Sequence, residues 1–164
     1  MTMPDTTTRE KWDRRFFELS RLVATWSEDQ SRKVGAVIVG PANDIRAIGF
    51  NGLPRRVSAG PEERHSRQGG EKYYWFEHAE RNAIYNAARS GISTEGCRMY
   101  TNLFPCADCA RGIIQSGIVE LNSFEAPEAD EVFKRSFKVA VVMLQEAKVD
   151  VRLIPADFLQ AGTA

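Results

Sequence analysis

Residues 97–124 read CRMYTNLFPCADCARGIIQSGIVELNSF, and the order of their parts decides the fold. Cys97 to Thr101 reads as a short strand. Residues 106–116 read as a helix with Ile113 and Ile114 turned inward and Gly117 at its C-cap. Val119 to Phe124 is again a strand. Strand, helix and strand in succession predict a crossover unit whose strands lie parallel in one sheet. Inside this unit Pro105 precedes Cys106 and Cys109, two of the three cysteines in the chain. Alone, those two sulfurs allow a redox pair, half of a metal site, or simple core packing.

Upstream, Trp12, Phe16, Leu19, Leu22, Val23 and Trp26 recur three and four apart, which predicts an amphipathic helix over residues 8–26. Val34 to Val39 is a buried-strand run. Pro41-Ala42-Asn43-Asp44 is a turn, and Ile45 to Phe50 returns as the second arm of an antiparallel hairpin. Residues 54–72 are polar and lack an apolar period, a long connection for a compact domain. A helix over residues 78–90 presents Ala83, Ile84, Ala87 and Ala88 on one face and stops at Gly91. A last helix over 129–147 and a strand from Val149 to Ile154 complete an α-β-β-α-β-α-β-α-β order. That order predicts an α/β protein with a mixed sheet in one domain, residues 10–155, between tails at 1–9 and 156–164.

The 164 residues hold 22 basic and 22 acidic side chains, so no global field recruits nucleic acid or an anionic membrane. No apolar run approaches the roughly 20 residues that span a bilayer, and the N-terminus lacks the pattern of a signal peptide. Three cysteines do not make a secreted disulfide framework, so a cytoplasmic, reducing setting is expected.

The chain has two histidines, His65 and His78. His78 opens the second long helix and the cysteine pair opens the third. Two helix N-termini facing each other at one end of a sheet would bring one imidazole and two thiols together, with dipoles that favour thiolate. Three protein ligands leave a tetrahedral zinc one open position for water, the arrangement of a catalytic site. Thiolates donate charge and weaken the metal's acidifying effect, so a nearby carboxylate is useful to take the proton. Glu80, two residues after His78, can serve without ligating. The pattern H-x-E…P-C-x-x-C is that of zinc deaminases. A redox pair would leave His78 and Glu80 unexplained. A closed structural zinc would need Cys97 or His65 as fourth ligand, and Cys97 fits better as a small buried hydrophobe.

With these residues the sequence resembles the cytidine and deoxycytidylate deaminase superfamily, and within it the deoxycytidylate deaminases. The resemblance spans residues 10–154 and is carried by Lys33 to Val39, Gly49-Phe50-Asn51-Gly52-Leu53-Pro54-Arg55, Glu77 to Ile84, Gly96 to Tyr100, Phe104 to Ala110 and Ile113 to Ile118. It implies a three-layer αβα cytidine-deaminase-like fold with a mixed five-stranded sheet. It implies one zinc per chain on His78, Cys106 and Cys109, and hydrolysis of dCMP to dUMP and ammonia, which feeds thymidylate synthesis. By the family's mechanism Glu80 shuttles the proton from water to N3 and on to the departing amine. Asn51 matches a position that hydrogen-bonds sugar and base, Ala79 offers its backbone N–H to the base carbonyl, and the backbone around Phe104 accepts from the exocyclic amine. Arg55 is a candidate for the phosphate, beside the alternative of a solvated loop arginine. A homo-oligomer and dCTP and dTTP as effectors also follow from the resemblance.

The chain departs from the family at several places. It has Pro54-Arg55-Arg56 where Pro-Arg-Gly is frequent, Trp26-Ser27 where Arg-Ser is frequent, and no tyrosine between Asn122 and Lys138. The 54–72 loop holds no cysteine and only His65, so a second metal is not expected. Its cations Arg55, Arg56, Arg64, Arg67 and Lys72 read either as a basic lid over a phosphate or as a mobile or subunit-contacting loop. Tyr73, Tyr74, Trp75 and Phe76 read as pocket wall or interface, with core packing expected for at least two of them.

Overall fold

The structure is a computed structural model, and it describes residues 6–125, 131–155 and 157–160. Five strands form one sheet: β1 (Gly35–Val39), β2 (Ile45–Phe50), β3 (Arg98–Thr101), β4 (Glu120–Phe124) and β5 (Asp150–Ile154), in the order β2-β1-β3-β4-β5. The β1–β2 hairpin is antiparallel, as its turn sequence predicts, and β1 also meets β3 antiparallel. β3, β4 and β5 run parallel, which is the crossover arrangement read from residues 97–124.

The helices are α1 (Thr6–Ala24), the one-turn α2 (Lys72–Trp75), α3 (Ala79–Arg89), α4 (Ala107–Gln115) and α5 (Lys134–Glu146). α5 starts later than the expected residue 129, and residues 126–130 lie outside the described residues. The connection after β2 contains two short 3-10 turns, Glu62–His65 and Gln68–Gly70.

The α1 face of the sheet buries Phe16, Phe17, Val37, Val39, Tyr100, Phe124 and Ile154. The opposite face packs α3, α4 and α5 over Ala36, Ile38, Met99 and Leu121, so the molecule is a three-layer αβα sandwich. The amphipathic stripe of α1 falls closer to Phe16, Phe17, Ser20 and Val23 than the sequence spacing indicates. Phe17 is fully buried while Leu22 and Trp26 are about half exposed. Phe158 and Leu159, in the stretch read as a tail, pack against that α1 cluster.

Two glycines matter to the frame. Gly117 follows α4 with φ 75°, a left-handed conformation that glycine adopts without a Cβ penalty. Gly49 in β2 lets α3 lie directly on the strand, because a Cβ there would sit 2.3 Å from Ala83 N and 2.4 Å from Ala79 O.

The register fixes where function can sit. Gly35 opposite Phe50 and Ala36 opposite Thr101 put the C-terminal ends of β2 and β3 at one end of the sheet. The connections that leave there carry Asn51 to His78 on one side and Asn102 to Cys106 on the other. Carboxyl ends of strands are where α/β sheets ordinarily build their sites.

Candidate active site

α3 and α4 both begin at this end, with His78 and Cys106 as their N-caps. Each cap residue is extended, so its side chain points off the helix rather than along it. Cys109 follows one turn into α4 on the same side. His78 Nδ1 lies 3.4 Å from Cys106 Sγ and 3.4 Å from Cys109 Sγ, and all three atoms lie within 4.8 Å of one another. Two ligands at usual zinc–nitrogen and zinc–sulfur distances with a tetrahedral angle are separated by about 3.5 Å. The cluster therefore has the spacing of three corners of a zinc tetrahedron, and it could hold the ion without rearrangement.

Other side chains fix this spacing. His78 N donates to Glu77 Oε1 at 2.9 Å, and Arg81 pairs with Glu77 and with Asp108 of α4. Ala107 N donates to Ser136 Oγ of α5 at 2.8 Å, which ties a third helix to the same place.

Glu80 is 3% exposed, and its Oε2 accepts from Cys109 Sγ at 3.5 Å. Burial raises its pKa above the usual carboxylate value, and the Cys106 charge adds to that. The two thiols are pushed in opposite directions. Cys106 accepts from Cys109 and is pushed down to about 4, further helped by His78. Cys109 is raised well above an ordinary thiol, as the donor of that bond and by burial. Burial opposes the charged form of His78, yet the hydrogen bond to Cys106 and the charge of Glu80 leave its pKa raised. Cys97 takes no part: it is buried in the core, and burial raises its pKa.

His78, Glu80 and Cys106 line a cleft of about 590 Å³, its mouth included. Ala79 and Phe104 line it too. Ala79 is the first residue of α3, where a backbone N–H has no partner within the helix. Asn51 lines the cleft, but its amide is committed. Nδ2 donates to Asp29 Oδ2 at 2.7 Å and to Arg32 O at 2.9 Å, and Oδ1 accepts from Val34 N at 2.8 Å. One acceptor lone pair on Oδ1 remains.

Arg55 is not brought to the cleft lining. It is exposed and donates to Asn86 Oδ1 at 2.6 Å on α3. The cations that line the cleft are Arg32, Arg67 and Lys72. Of the other loop cations, Arg64 lies over the Trp75 ring at 4.0 Å and donates to Ser58 O at 2.9 Å. The four consecutive aromatics divide: Tyr73 and Phe76 line the cleft, Tyr74 is 85% exposed, and of the four only Phe76 is buried. Phe133 and Phe137 complete the aromatic wall. Phe133 meets His78 edge-on at 5.9 Å and Tyr73 at 5.3 Å, and Phe137 meets Phe104 at 6.0 Å. Sequence reasoning missed Phe133, Phe137, Asp29 and Arg32. The α5 aromatics carry the ordinary spacing of a core face, and nothing local marks them as pocket wall.

A His-Cys-Cys cluster beside a buried glutamate, on the wall of a cleft at the carboxyl ends of strands, is the layout of a metal-dependent hydrolase. Comparisons with known proteins narrow that class. The family described as cytidine and deoxycytidylate deaminase zinc-binding region matches residues 10–125. The chain is 40% identical over 156 residues to an uncharacterized deaminase in the luxG 3' region of Aliivibrio fischeri, covering 92% of this chain and 98% of that one. It is 36% identical over 155 residues to the deoxycytidylate deaminase of Mus musculus, covering 90% and 86%. Among solved structures, the dCMP deaminase from the cyanophage S-TIM5 in complex with dCMP and dUMP shares the fold with a TM-score of 0.73, at 24% identity over 93% of this chain and 100% of that one. The protein belongs to the cytidine and deoxycytidylate deaminase family. The family's zinc-binding region and the His78, Cys106 and Cys109 cluster both point to zinc.

Proposed function

We propose that the protein is a zinc-dependent deaminase that hydrolyses dCMP to dUMP and ammonia. The observation that carries this reading is the convergence of His78, Cys106 and Cys109 beside the buried Glu80 in the cleft, in a chain akin to deoxycytidylate deaminases. His78, Cys106 and Cys109 hold one zinc per chain. When bound, zinc supplies the Lewis acidity that makes a water nucleophilic near neutral pH.

The chain's own residues do the rest. Glu80 takes a proton from the attacking water and delivers it to N3 of cytosine. It then helps protonate the amine, so that C4 gains oxygen and loses ammonia. Burial raises the carboxylate's proton affinity, which favours its taking up a proton. The Ala79 N–H donates to the base carbonyl, and the backbone around Phe104 accepts from the exocyclic amine. Asn51 has only an acceptor left, so it meets a hydroxyl of the sugar. Its remaining lone pair cannot serve a phosphate oxygen. Lys72 is taken up by Asp29, so phosphate falls to Arg32 and Arg67 of the cations lining the cleft rather than to Arg55.

Around the site, the balanced charge of the chain supports a small nucleotide rather than a nucleic acid as substrate. A cytoplasmic homo-oligomer responsive to dCTP and dTTP completes the proposal. Among the described residues no helix is long and apolar enough to cross a membrane.

The test is ammonia release from dCMP, cytidine, dCTP, guanine and tRNA by the purified protein. Turnover of dCMP above the others is expected; turnover of tRNA alone would overturn the reading.

A further inference from the structure

Lys72 is 6% exposed and Asp29 is 3% exposed, and the two form an ion pair at the cleft. Lysine and aspartate are almost never buried this far unless paired. Asp29 is also saturated. Its Oδ1 accepts from Ser31 N at 2.7 Å and Arg32 N at 3.2 Å, and its Oδ2 accepts from Asn51 Nδ2 at 2.7 Å and from the Lys72 ammonium. A carboxylate offers about four acceptor positions, so none is left for a substrate. Asp29 therefore borders the cleft without being able to bind what enters it.

The two partners belong to different walls. Asp29 organises residues 27–34 with Asn51: Ser27 Oγ donates to Asn51 O at 2.7 Å, and Asp29 N donates to Ser27 Oγ at 3.1 Å. This wall carries Arg32, Val34 and Asn51. Lys72 organises the other wall. Its backbone N–H reaches Ser66 O at 2.9 Å, its carbonyl accepts from Phe76 N at 2.9 Å, and its ammonium lies 5.5 Å from the Phe76 ring centroid. That wall carries Arg67, Tyr73 and Phe76 and runs directly into His78.

We propose that the Lys72–Asp29 ion pair is a positioning element that fixes the width of the substrate cleft by tying its two loop walls together. An exposed pair would tolerate many geometries. Here the carboxylate is held by three fixed donors and the ammonium is enclosed, so the separation of the walls has one value. Binding groups must be placed to within about half an ångström to act together. The pair touches neither the metal cluster nor Glu80, so its effect falls on substrate capture rather than on the chemical step.

The substrate readout rests on the deaminase reading, whereas the loop readout does not. Lys72→Met keeps an unbranched side chain and removes the charge. With its zinc retained, this variant is expected to raise KM for dCMP about tenfold with kcat within about threefold of the parent. Trypsin should cut its 55–67 loop about tenfold faster than in the parent, because local opening becomes easier. The variant leaves Asp29 buried without its cation, so Asp29→Asn/Lys72→Met is the partner measurement. Removing both charges is expected to restore the melting temperature, while KM stays raised and cleavage stays fast. A double variant with parental KM and parental cleavage rate would overturn the proposal and leave the pair a structural feature only. A parent protein inert toward dCMP would count against the substrate reading alone, and the cleavage rates would still decide the role of the pair.

Discussion

Under α1, the buried Asp13 accepts from Tyr100 Oη at 2.7 Å and from Arg152 Nη2 at 2.8 Å. Arg152 also reaches Asn122 Oδ1 at 2.7 Å, Asn122 donates to Glu120 Oε1 at 2.7 Å, and Arg9 pairs with Glu120 at 2.5 Å. Burial and the bond to Asp13 push the Tyr100 phenol up, so it stays a donor. On the opposite side of the sheet, His78, Cys106, Cys109 and Glu80 are packed just as tightly, but three acids converge on one imidazole. In the first cluster each acid meets a base, and the network closes on itself. In the second, two thiols and a carboxylate meet one imidazole, a donor set that could hold a cation. Burial of polar groups does not separate architecture from chemistry here; charge balance does.

Removing a ligand breaks this contrast most severely. Cys106→Ala should lose its zinc and essentially all turnover, and adding zinc to chelated parent protein should restore activity. Metal analysis decides the matter: a variant that keeps full zinc removes Cys106 from the ligand set.

Next in size is Glu80, the buried carboxylate beside the cluster. Glu80→Gln should keep zinc and fold and lose turnover by about 10²- to 10⁴-fold. Unaltered single-turnover rates would reject Glu80 as the proton shuttle.

The closed cluster should answer in a different currency. Asp13→Ala strands the Tyr100 hydroxyl and one side of Arg152, which costs about 2 kcal/mol of stability. Its kcat/KM below the melting range should match the parent, and urea melts beside steady-state rates would expose any mixing of the two roles.

The smallest effect belongs to Asp29. Burial opposes its charge, but hydrogen bonds from Lys72, Ser31 and Arg32 hold its carboxyl below 3.8. The unfolded chain therefore binds this proton more readily than the folded one. Its stabilisation is complete above about pH 4 and is lost as pH falls through the lower folded value. Urea midpoints between pH 7 and pH 3 should drop more in the parent than in Asp29→Asn, and equal drops would show that the pair contributes nothing to acid stability.

The convergence of His78, Cys106 and Cys109 was legible in the sequence because each part is local. An extended residue before a helix and a C-x-x-C across its first turn announce themselves within a dozen residues, and the strand–helix alternation supplies the common end. Element order was legible for the same reason. The cleft was not. Asp29 and Lys72 lie far apart in the chain, and a buried lysine in a polar loop looks like any solvated cation. Arg55 drew attention by standing beside Asn51 in a recognisable block, yet Asn86 on α3 claims it. Ala88 follows the spacing of Ala87 but is exposed, because the packed stripe of α3 is only wide enough for Ala79, Glu80, Ala83 and Ala87. Phe17 shows the converse, a core residue that a six-member stripe passed over. Width of a buried face is set by the neighbouring layer, not by the helix that carries it.

Gly49 gives the ligand geometry a remote tuning point. A methyl group on that residue would press on Ala79 O and Ala83 N, and α3 would have to lift off the sheet. Cys106 and Cys109 ride on α4 and would not lift with it, so His78 would retreat from its two partners. Ions of different preferred size and coordination respond differently to such a stretch. Gly49→Ala would thus keep every ligand and shift the order in which divalent ions compete for the site, a change that cobalt–zinc competition would reveal.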